Sequence, residues 1–551
     1  MKKSLLIFIL LAGTILRFTN INWDSYQAFH PDERNISWAV TRIQWFTQLN
    51  PKFFAYGGLP IYLYKILSDV TAWITGDPSW TTEWGKIAVV GRSVSATLSS
   101  ISIFLIFLAA RRLFSPSVGV LAAFFLAFSP WAIREAHFST TETMLVFSLL
   151  SLLLIGHRLI TSKYSKSIYY VCIAAGIIAG FAVGAKTTSL LFFIIPLLSI
   201  WLPSLDNKLL SKHFFRDVIL HRFPMTVSFL GVASACFLLT SPYTVLDYPH
   251  FWESMKYETG VALGRFSVPY TLQFFQTIPY LYQIQTMLWQ SGVVIILGLV
   301  GMIFLIMKYI RQKEKTLILF LAFPLIYGAF SGQWLAKFSR YNVPFLPFAT
   351  IAAAWLMVTL YKRFRIAGLF CVAFTACVTL VWGLSNWTVY LRPQTRIEAS
   401  RWMYEHIPPE ALIYTEHWND GLPVTIEGVQ NINFKRDVLT VYEPDNKEKL
   451  KYYGEKISSG DFIILSTRRI WATMPKLKKR YPITSKFYEK LLQGTLGYKE
   501  VATFTSYPGL FGFEINDDTN EESTQVYDHP TVRIFQNIDH RSQNEIEHNL
   551  Q

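Results

Sequence analysis

Residues 87–110 read IAVVGRSVSATLSSISIFLIFLAA, a run of 24 residues with one charged side chain, Arg92. As an α-helix, such a run extends about 36 Å, because each residue adds about 1.5 Å. The hydrocarbon core of a bilayer is about 30 Å thick, so the run is long enough to cross it. Arg111 and Arg112 follow directly and end the apolar stretch. The segment therefore predicts a membrane-spanning helix.

Ten further segments before residue 385 have the same apolar character. They are 4–20, 117–133, 142–160, 167–185, 188–203, 223–241, 287–307, 316–331, 342–360 and 366–384. The predicted fold is thus an α-helical polytopic membrane protein with about eleven spans. The first segment follows Met1-Lys2-Lys3 as in a signal peptide, but it lacks a small-x-small cleavage pattern, so we expect a retained anchor.

The composition agrees with this class. Hydrophobic residues make up 52% of the 551 residues and charged residues 16%, whereas soluble domains carry about 25% charged residues. The net charge of +14 does not indicate a nucleic-acid partner, because Lys and Arg cluster between the apolar segments. All four cysteines lie within predicted spans, so the exported parts are expected to contain no disulfide.

The distribution of Lys and Arg predicts the orientation of the chain. Eighteen of these residues, including Lys163, Lys208 and Lys212, fall in alternate connections on one side, and four fall in the short connections on the other. Positive residues concentrate on the cytoplasmic side of a membrane. We therefore expect a multi-pass protein of the plasma membrane with a cytoplasmic N-terminus and an extracytoplasmic C-terminal domain.

Three segments outside the predicted spans are too long to be turns. The membrane domain, residues 1–384, contains aromatic-rich outer loops at 21–86 and 242–286, which suit helices lying at the headgroup level. In residues 385–535, helix-like stretches alternate with short apolar runs, which favours a small α/β domain. Residues 536–551 are polar and are predicted to form a disordered tail.

Carboxylates gather at the outer ends of the predicted spans, where proximity to the bilayer makes them costly. The first outer loop contains His30-Pro31-Asp32-Glu33-Arg34. The connection between spans three and four contains Arg134-Glu135-Ala136-His137 and leads to Glu142 at the start of span four. Solubility does not require four acids beside apolar helices, so their placement favours a functional site.

The order of these motifs resembles the membrane glycosyltransferases of the C superfamily, such as protein O-mannosyltransferases and the aminoarabinose transferase of lipid A. The likeness includes Gly91-Arg92-Ser93-Val94-Ser95-Ala96 at the top of span two and Arg340-Tyr341-Asn342-Val343-Pro344 before a late span. The stretch from Asp517-Asp518 to Tyr527-Asp528-His529-Pro530 is similar to the tail of uncharacterised bacterial members. One departure is Glu142, since relatives usually carry Asp at that place.

The resemblance implies transfer of a sugar from a polyprenyl-phosphate donor to a lipid, glycan or protein acceptor outside the membrane, with inversion. An acceptor hydroxyl needs a base when its oxygen attacks the anomeric carbon, and Asp32, beside Glu33, is the candidate. The leaving phosphate needs cationic donors. The candidates for donor-phosphate binding are Arg340, Arg92 and Lys186, and the candidates for acids of the acceptor side or second loop are Glu135 and Glu142.

Other interpretations of the same residues stay open. Asp32 and Glu33 suit the start of an interfacial helix, where acids complement the helix dipole. Arg17 and Arg92 have side chains long enough to reach the headgroups. Lys186, and Arg340 with Tyr341, could anchor span ends at the interface.

No cofactor is required by the expected chemistry. A divalent metal ion is the alternative, since acids hold one in related oligosaccharyltransferases, and its candidate ligands are Asp32, His30, His137 and Glu142. The rival function is a transporter or flippase for a lipid-linked glycan, and a non-catalytic scaffold is a third. Transporters tend to keep broken helices and charges at the bilayer midplane, whereas these acids lie at the outer ends of spans.

Overall fold

The computed structural model describes residues 2–162, 166–206 and 216–551, so Lys163, Lys208 and Lys212 of the orientation count lie outside the described residues. The chain divides into two compact units. The helical unit comprises Met1–Asn22, His30–Phe266 and Thr277–Trp387, and the sheet unit comprises Trp23–Phe29, Ser267–Gln276 and Thr388–Gln551. The predicted outer loops therefore each give one short segment to the sheet unit.

Helices occupy all eleven segments that were predicted to span the membrane. They are Lys2–Phe18, Trp84–Leu113, Pro116–Ala127 with Pro130–Ala136, Glu142–Thr161, Lys166–Ala185, Thr187–Phe193 with Ile194–Trp201, Phe223–Thr240, Val293–Gln312, Lys315–Ser331, Leu346–Arg363 and Arg365–Trp387. Among the described residues, eight helices are long and apolar enough to cross a bilayer, or nine if one bent pair counts as a single span. The multi-pass architecture is confirmed, and the number of eleven crossings stays a prediction.

The bent pair is the third predicted span. Pro116–Ala127 and Pro130–Ala136 meet at 58°. Pro130 is tolerated at the first position of a helix, and the Ser129 hydroxyl caps that helix by accepting from the Ala132 backbone N–H. The break leaves the last carbonyl groups of Pro116–Ala127 without partners inside their own helix.

Arg17 supplies donors to these carbonyl groups from the helix Lys2–Phe18. Its side chain is fully buried. The guanidinium donates to the carbonyl oxygens of Leu126 at 2.9 Å and Ala127 at 3.0 Å, and to the hydroxyl of Ser99 at 2.7 Å. The interpretation that Arg17 reaches the headgroups is therefore wrong, because the break in the neighbouring helix offers it acceptors inside the protein.

The long outer loops contain helices of their own. Pro31–Thr41 and Gly58–Thr75 lie in the first loop, and Tyr248–Ala262 and Leu281–Ser291 lie in the second. The two helices of the first loop share one buried cluster, to which Pro31–Thr41 contributes apolar residues at helical spacing. The members from these two helices are Ile36, Ala39, Val40, Ile61 and Tyr64. This packing fixes the start of Pro31–Thr41, where the acidic pair lies.

The sheet unit contains seven strands: β1 Leu412–Glu416, β2 Lys435–Leu439, β3 Phe462–Leu465, β4 Tyr498–Phe504, β5 Gly509–Leu510, β6 Phe513–Glu514 and β7 Val532–Asn537. Five of them form one sheet in the order β2-β1-β3-β7-β4, and β5 and β6 form a separate hairpin. The pairs of β1 with β2 and β3 are parallel, and those of β7 with β3 and β4 are antiparallel. The predicted α/β character of the C-terminal domain is confirmed.

Helices cover both faces of this sheet. Residues of β3 alternate between the two sides, so Ile463 and Leu465 enter one core while Phe462 and Ile464 enter the other. The first core includes residues of Lys447–Ser459, Pro482–Leu492 and Gln543–Leu550, and the second includes residues of Thr395–His406. The sheet is thus buried on both sides, as parallel strands generally are.

The prediction of a disordered tail at 536–551 is wrong. The strand β7 extends to Asn537, and a helix follows at Gln543–Leu550. A capping box between Ser542 and Glu545 begins this helix. Ile546 and Leu550 lie four residues apart on one face and are buried in the first core. The polar composition of this stretch led to the wrong prediction. Two apolar residues four positions apart are enough to hold such a short helix in the core, and so few do not raise the hydrophobicity of the segment.

The stretch before β7 contains buried acids, among them Asp517, Glu522 and Asp528. His529 lies between two carboxylates, with Nδ1 2.6 Å from Asp528 and Nε2 2.9 Å from Asp517. Burial by itself would lower the pKa of His529, but these two carboxylates outweigh it and raise the pKa to about 10. The charged imidazole offsets the cost of burying the acids and holds the segment against the sheet unit.

Candidate active site

The first outer helix presents its acidic pair in its first turn. His30 caps Pro31–Thr41, because its Nδ1 accepts from the Asp32 backbone N–H at 3.2 Å. The His30 ring also lies 4.7 Å from the ring of Phe138. Asp32 and Glu33 stand where the helix dipole favours negative charge, as the alternative interpretation proposed. Their surroundings, however, differ completely.

Glu33 is paired with Arg92, and both side chains are fully buried. The guanidinium of Arg92 meets the two carboxylate oxygens at 2.9 and 2.5 Å. Glu33 also accepts from the Ser139 backbone N–H at 2.6 Å, and Arg92 donates to the carbonyl oxygen of Ile21 at 3.1 Å. The pair joins the first loop, the second predicted span and the connection to span four. The burial of this pair separates Glu33 and Arg92 from solvent, while the catalytic and phosphate-binding roles expected of them stay predictions.

Asp32 forms an ion pair with Arg340, which precedes the helix Leu346–Arg363. The distance from Arg340 Nη1 to Asp32 Oδ2 is 2.7 Å, and each side chain is 17% exposed. The Arg340 guanidinium lies 4.8 Å from the ring of Phe338 and 5.7 Å from the ring of Tyr341. The structure thus brings the predicted base next to one of the predicted phosphate-binding cations, and both remain partly accessible.

Lys186 extends this cluster. Its Nζ lies 2.9 Å from Glu142 Oε1, and the lysine side chain is 15% exposed while that of Glu142 is fully buried. Nζ also lies 5.5 Å from the ring of Tyr341 and 5.6 Å from the ring of Tyr56. Tyr341 therefore neighbours both Arg340 and Lys186, and its ring links the two cations.

Two further residues of this cluster did not emerge from the sequence. Burial raises the pKa of Tyr56 well above its usual value, and the negative charge of Asp32 adds to this effect. Burial likewise raises the pKa of Glu258, on the helix Tyr248–Ala262, and Asp32 contributes to that increase as well. Both belong to outer loops rich in aromatic residues, where one tyrosine or one acid on an amphipathic helix is not a distinctive signal.

Glu135 adjoins this cluster at Glu142. It pairs with Arg134 at 3.1 Å, and Arg134 also donates to the hydroxyl of Ser339 at 3.1 Å. Glu135 and Glu142 both line a buried cavity of about 20 Å³, which is room for about one water molecule. The two acids of the second loop thus share a small cavity, with Glu142 bonded to Lys186 and Glu135 bonded to Arg134, which contacts the segment before Arg340.

The predicted metal ligands are not assembled into one cluster. His137 is engaged elsewhere, with its Nδ1 2.8 Å from the carbonyl oxygen of Ile133 and its Nε2 2.9 Å from that of Thr19. Within residues 2–162, 166–206 and 216–551, no group of three or more His, Cys, Asp or Glu side chains is arranged to hold a metal ion.

The sequence was compared with protein families and with curated proteins. Residues 82–245 match the sequence profile of the family described as dolichyl-phosphate-mannose-protein mannosyltransferase. A comparison with curated protein sequences finds no significant match.

Solved structures extend the likeness to nearly the whole chain. The archaeal oligosaccharyltransferase AglB from Archaeoglobus fulgidus, in complex with an inhibitory peptide and a dolichol-phosphate, superposes with a TM-score of 0.54 at 13% identity, covering 94% of this chain and 75% of that one. An oligosaccharyltransferase from the same organism, tethered to an acceptor peptide via a disulfide bond, gives a TM-score of 0.53 at 13% identity, with coverages of 97% and 88%. ArnT from Cupriavidus metallidurans, bound to undecaprenyl phosphate, gives 0.48 at 14% identity, with coverages of 85% and 94%. The matched segment and the shared fold agree with the resemblance predicted from the motifs: this chain is a multi-pass membrane protein that shares its fold with AglB, and its residues 82–245 resemble a family of mannosyltransferases.

Proposed function

We propose that the chain transfers a sugar from a polyprenyl-phosphate donor to an acceptor on the extracytoplasmic face of the membrane. One observation carries this proposal: a partly exposed acid, Asp32, lies beside two partly exposed cations, Arg340 and Lys186, around the ring of Tyr341. A displacement at a sugar phosphate needs one group that accepts a proton and others that receive negative charge, and this cluster contains both kinds.

Asp32 acts as the base in the proposed reaction. Its carboxylate takes the proton of the acceptor hydroxyl while the hydroxyl oxygen forms a bond to the anomeric carbon. The bond from that carbon to the phosphate oxygen breaks, and its electron pair leaves with the polyprenyl phosphate. A positioned base contributes about 10²–10⁴-fold to such a reaction. Accessibility supports Asp32 over Glu33, because Glu33 is fully buried against Arg92.

Arg340 and Lys186 receive the charge of the leaving phosphate. Charge-assisted hydrogen bonds to phosphate are strong, especially where water is excluded. Arg340 stays positive at any physiological pH. Glu142, held 2.9 Å from Lys186, pairs with that amine and fixes its position. The acid thus contributes to the proposed site through the lysine, and needs no contact with the acceptor.

The proposed stereochemical outcome is inversion at the anomeric carbon. A single displacement with one base inverts, whereas retention needs a second carboxylate as nucleophile. Glu33 was the nearest candidate by sequence, and its carboxylate is held in two bonds to Arg92. This arrangement supports a one-base reaction.

The relatives support the class of substrate. AglB is described in complex with a dolichol-phosphate, and an oligosaccharyltransferase from the same organism is described with a tethered acceptor peptide. By analogy we assign this chain a lipid-phosphate donor and leave its acceptor among lipids, glycans and proteins. The orientation proposed from the Lys and Arg count puts Asp32 and the sheet unit outside the cytoplasm.

The decisive experiment is hydrolysis of the donor by the purified wild-type protein in lipid nanodiscs. Water can replace an unknown acceptor, so slow release of free polyprenyl phosphate from polyprenyl-phosphate sugars needs no acceptor. We expect release that depends on the wild-type protein. A transporter or flippase would instead move the lipid-linked glycan between leaflets without releasing lipid phosphate, and that pattern would overturn the proposal.

A further inference from the structure

The hairpin of β5 and β6 exposes two phenylalanines on the sheet unit. Gly509 pairs with Glu514 and Leu510 with Phe513, so Phe511 and Gly512 form the turn. Phe511 is 92% exposed and Phe513 is 81% exposed. An adjacent pair of large apolar side chains in water is costly, and exposed apolar patches commonly mark interaction surfaces.

Both residues of this turn have a left-handed backbone conformation, which is unusual for a phenylalanine. Phe511 has a φ of +54° and Gly512 a φ of +84°, as in turns whose two central residues are both left-handed. Asn, Asp and Gly are the residues that adopt such a turn at low cost. A phenylalanine at the first position therefore carries backbone strain, and no packing inside the sheet unit explains why a large apolar side chain stands there.

The hairpin is fixed beside the point where the chain leaves its last predicted span. Thr388 directly follows the helix Arg365–Trp387, and its hydroxyl donates to the carbonyl oxygen of Gly509 at 2.9 Å. Arg392 donates to the carbonyl oxygen of Tyr507 at 3.0 Å and to Glu514 at 3.1 Å. These bonds hold both arms of the hairpin to the first residues after the span.

Two further exposed apolar side chains lie next to the bonded residues in sequence, Leu391 beside Arg392 and Ile515 beside Glu514. Leu391 is 54% exposed and Ile515 is 39% exposed. Leu391 follows the end of the helix by four residues, so it can lie at most about 14 Å from the last residue of that helix. The headgroup region adds several ångströms to each side of a hydrocarbon core about 30 Å thick. Leu391 is thus tethered within reach of that region.

We propose that this hairpin, with Phe511 and Phe513 at its tip, is a membrane-interface anchor that inserts into the headgroup region of the adjacent leaflet. Apolar and aromatic side chains are stabilised there. Continuity with the end of the last predicted span favours lipid over a second protein as the partner. The proposal rests on the membrane-spanning architecture and does not depend on the catalytic assignment.

The test uses the full-length chain in lipid nanodiscs. The four native cysteines, Cys172, Cys236, Cys371 and Cys377, are replaced by alanine, and Phe511→Cys is labelled with an environment-sensitive fluorophore. The matched control is Val438→Cys, an apolar position on the sheet-edge strand β2 that is 41% exposed. Phospholipids carrying a nitroxide just below the headgroup serve as quenchers. Because Phe511 is almost fully exposed, this substitution removes no internal packing.

We expect the label at residue 511 to emit at a shorter wavelength than the label at residue 438, and only the former to be quenched by the nitroxide lipids. Water-like emission at residue 511 with no lipid quenching would overturn the proposal. A shorter emission wavelength without lipid quenching would also overturn it, because a second copy or another protein would then cover the tip. Neither readout uses sugar transfer, so failure of this proposal and failure of the proposed function remain distinguishable.

Discussion

Asp32 and Glu33 are neighbours in sequence, yet their carboxylates belong to different surroundings. Glu33 is fully buried in a two-bond pair with Arg92, whereas Asp32 is partly exposed and lies 2.7 Å from Arg340. Successive residues of a helix point in directions about 100° apart, so one acid can face the protein interior while the next faces open space. The two acids therefore allow separate tests of structure and chemistry.

Replacing Asp32 by Asn should remove the proposed base while keeping the size of the side chain. We expect donor hydrolysis and sugar transfer to fall about 100-fold or more. Binding of the polyprenyl-phosphate sugar should persist, because Asp32 is assigned to the acceptor proton. The control is Asp69→Asn, in the same outer loop, where Asp69 accepts from Lys65 and Trp45. Equal activity of Asp32→Asn and the wild type would contradict the assignment.

Replacing Arg340 by Ala should weaken donor binding and transfer together, because a cation facing phosphate acts in both ground and transition states. The loss of a charge-assisted hydrogen bond predicts about 10- to 100-fold weaker donor binding. Equilibrium binding of a radiolabelled polyprenyl phosphate measures it. Arg265→Ala, an exposed arginine of the second outer loop, should leave binding unchanged. A normal donor affinity in Arg340→Ala would remove this residue from the site.

Replacing Arg92 by Met should destabilise the protein strongly, because Glu33 would keep a buried charge without its cation. Breaking a buried ion pair costs about 3–5 kcal/mol. The double variant Glu33→Leu with Arg92→Met should recover part of that loss, which thermal unfolding in detergent measures. Lys86→Met, which breaks a pair with the more exposed Asp77, should destabilise the protein far less, because exposed ion pairs contribute little. A folded Arg92→Met variant with selectively weakened donor binding would favour the phosphate-binding role instead.

The stability of the sheet unit should depend on Glu416. Burial raises the pKa of Glu416 to about 7, although Tyr488 and Asn419 donate to its carboxylate. In the unfolded chain the pKa is about 4.3. Between these values the folded state binds more protons, so the free energy of unfolding falls as the pH rises through that window, by up to about 4 kcal/mol.

Pulse proteolysis of the full chain across urea concentrations measures this dependence at several pH values. Glu416→Gln should flatten the decline between about pH 4.5 and 7. The matched control is Glu427→Gln, which changes an exposed acid of the same unit and should leave the slope as it is. An unchanged slope in Glu416→Gln would show that another group causes the dependence.

The orientation of the chain can be tested with reporter fusions. A reporter after Gln551 should be active only outside the cytoplasm, and one near Lys313 only inside, because positive connections stay in the cytoplasm. Activity of the Gln551 fusion in the cytoplasm would reverse the sides. The acidic outer loops would then face the cytoplasm, and the proposed transfer outside the membrane would lose its basis.

The sequence predicted the helices correctly and indicated several candidate site residues where the residue pattern is rare in soluble proteins or costly near a bilayer. Apolar runs predicted the helices, and charges beside those runs singled out Asp32, Arg340 and Lys186, because solvation near a bilayer makes unneeded charges costly. The sequence could not predict which arginine pairs with which acid. Nothing in the residues around Arg92, which pairs with Glu33, distinguishes it from Arg340, which pairs with Asp32. Those partnerships depend on how distant helices pack.

Other features escaped prediction because their signals are ordinary. Glu258 is one acid on an amphipathic helix, and such acids usually face solvent. Ile546 and Leu550 are only two apolar residues in a polar stretch, yet they fix a helix in the core. Arg17 was misassigned because the broken helix that supplies its acceptors lies about 110 residues further along the chain.

The ion pair of Asp32 with Arg340 can form only late in the synthesis of the chain. Roughly 300 residues separate the two, and synthesis proceeds at about 5–20 residues per second, so Asp32 emerges about 15–60 s before its cation. During that interval the acid sits at the membrane boundary without its eventual counterion, while the ribosome is still delivering the later spans. A chain truncated before residue 340 would retain this uncompensated carboxylate, and it would therefore be a natural substrate for membrane quality control.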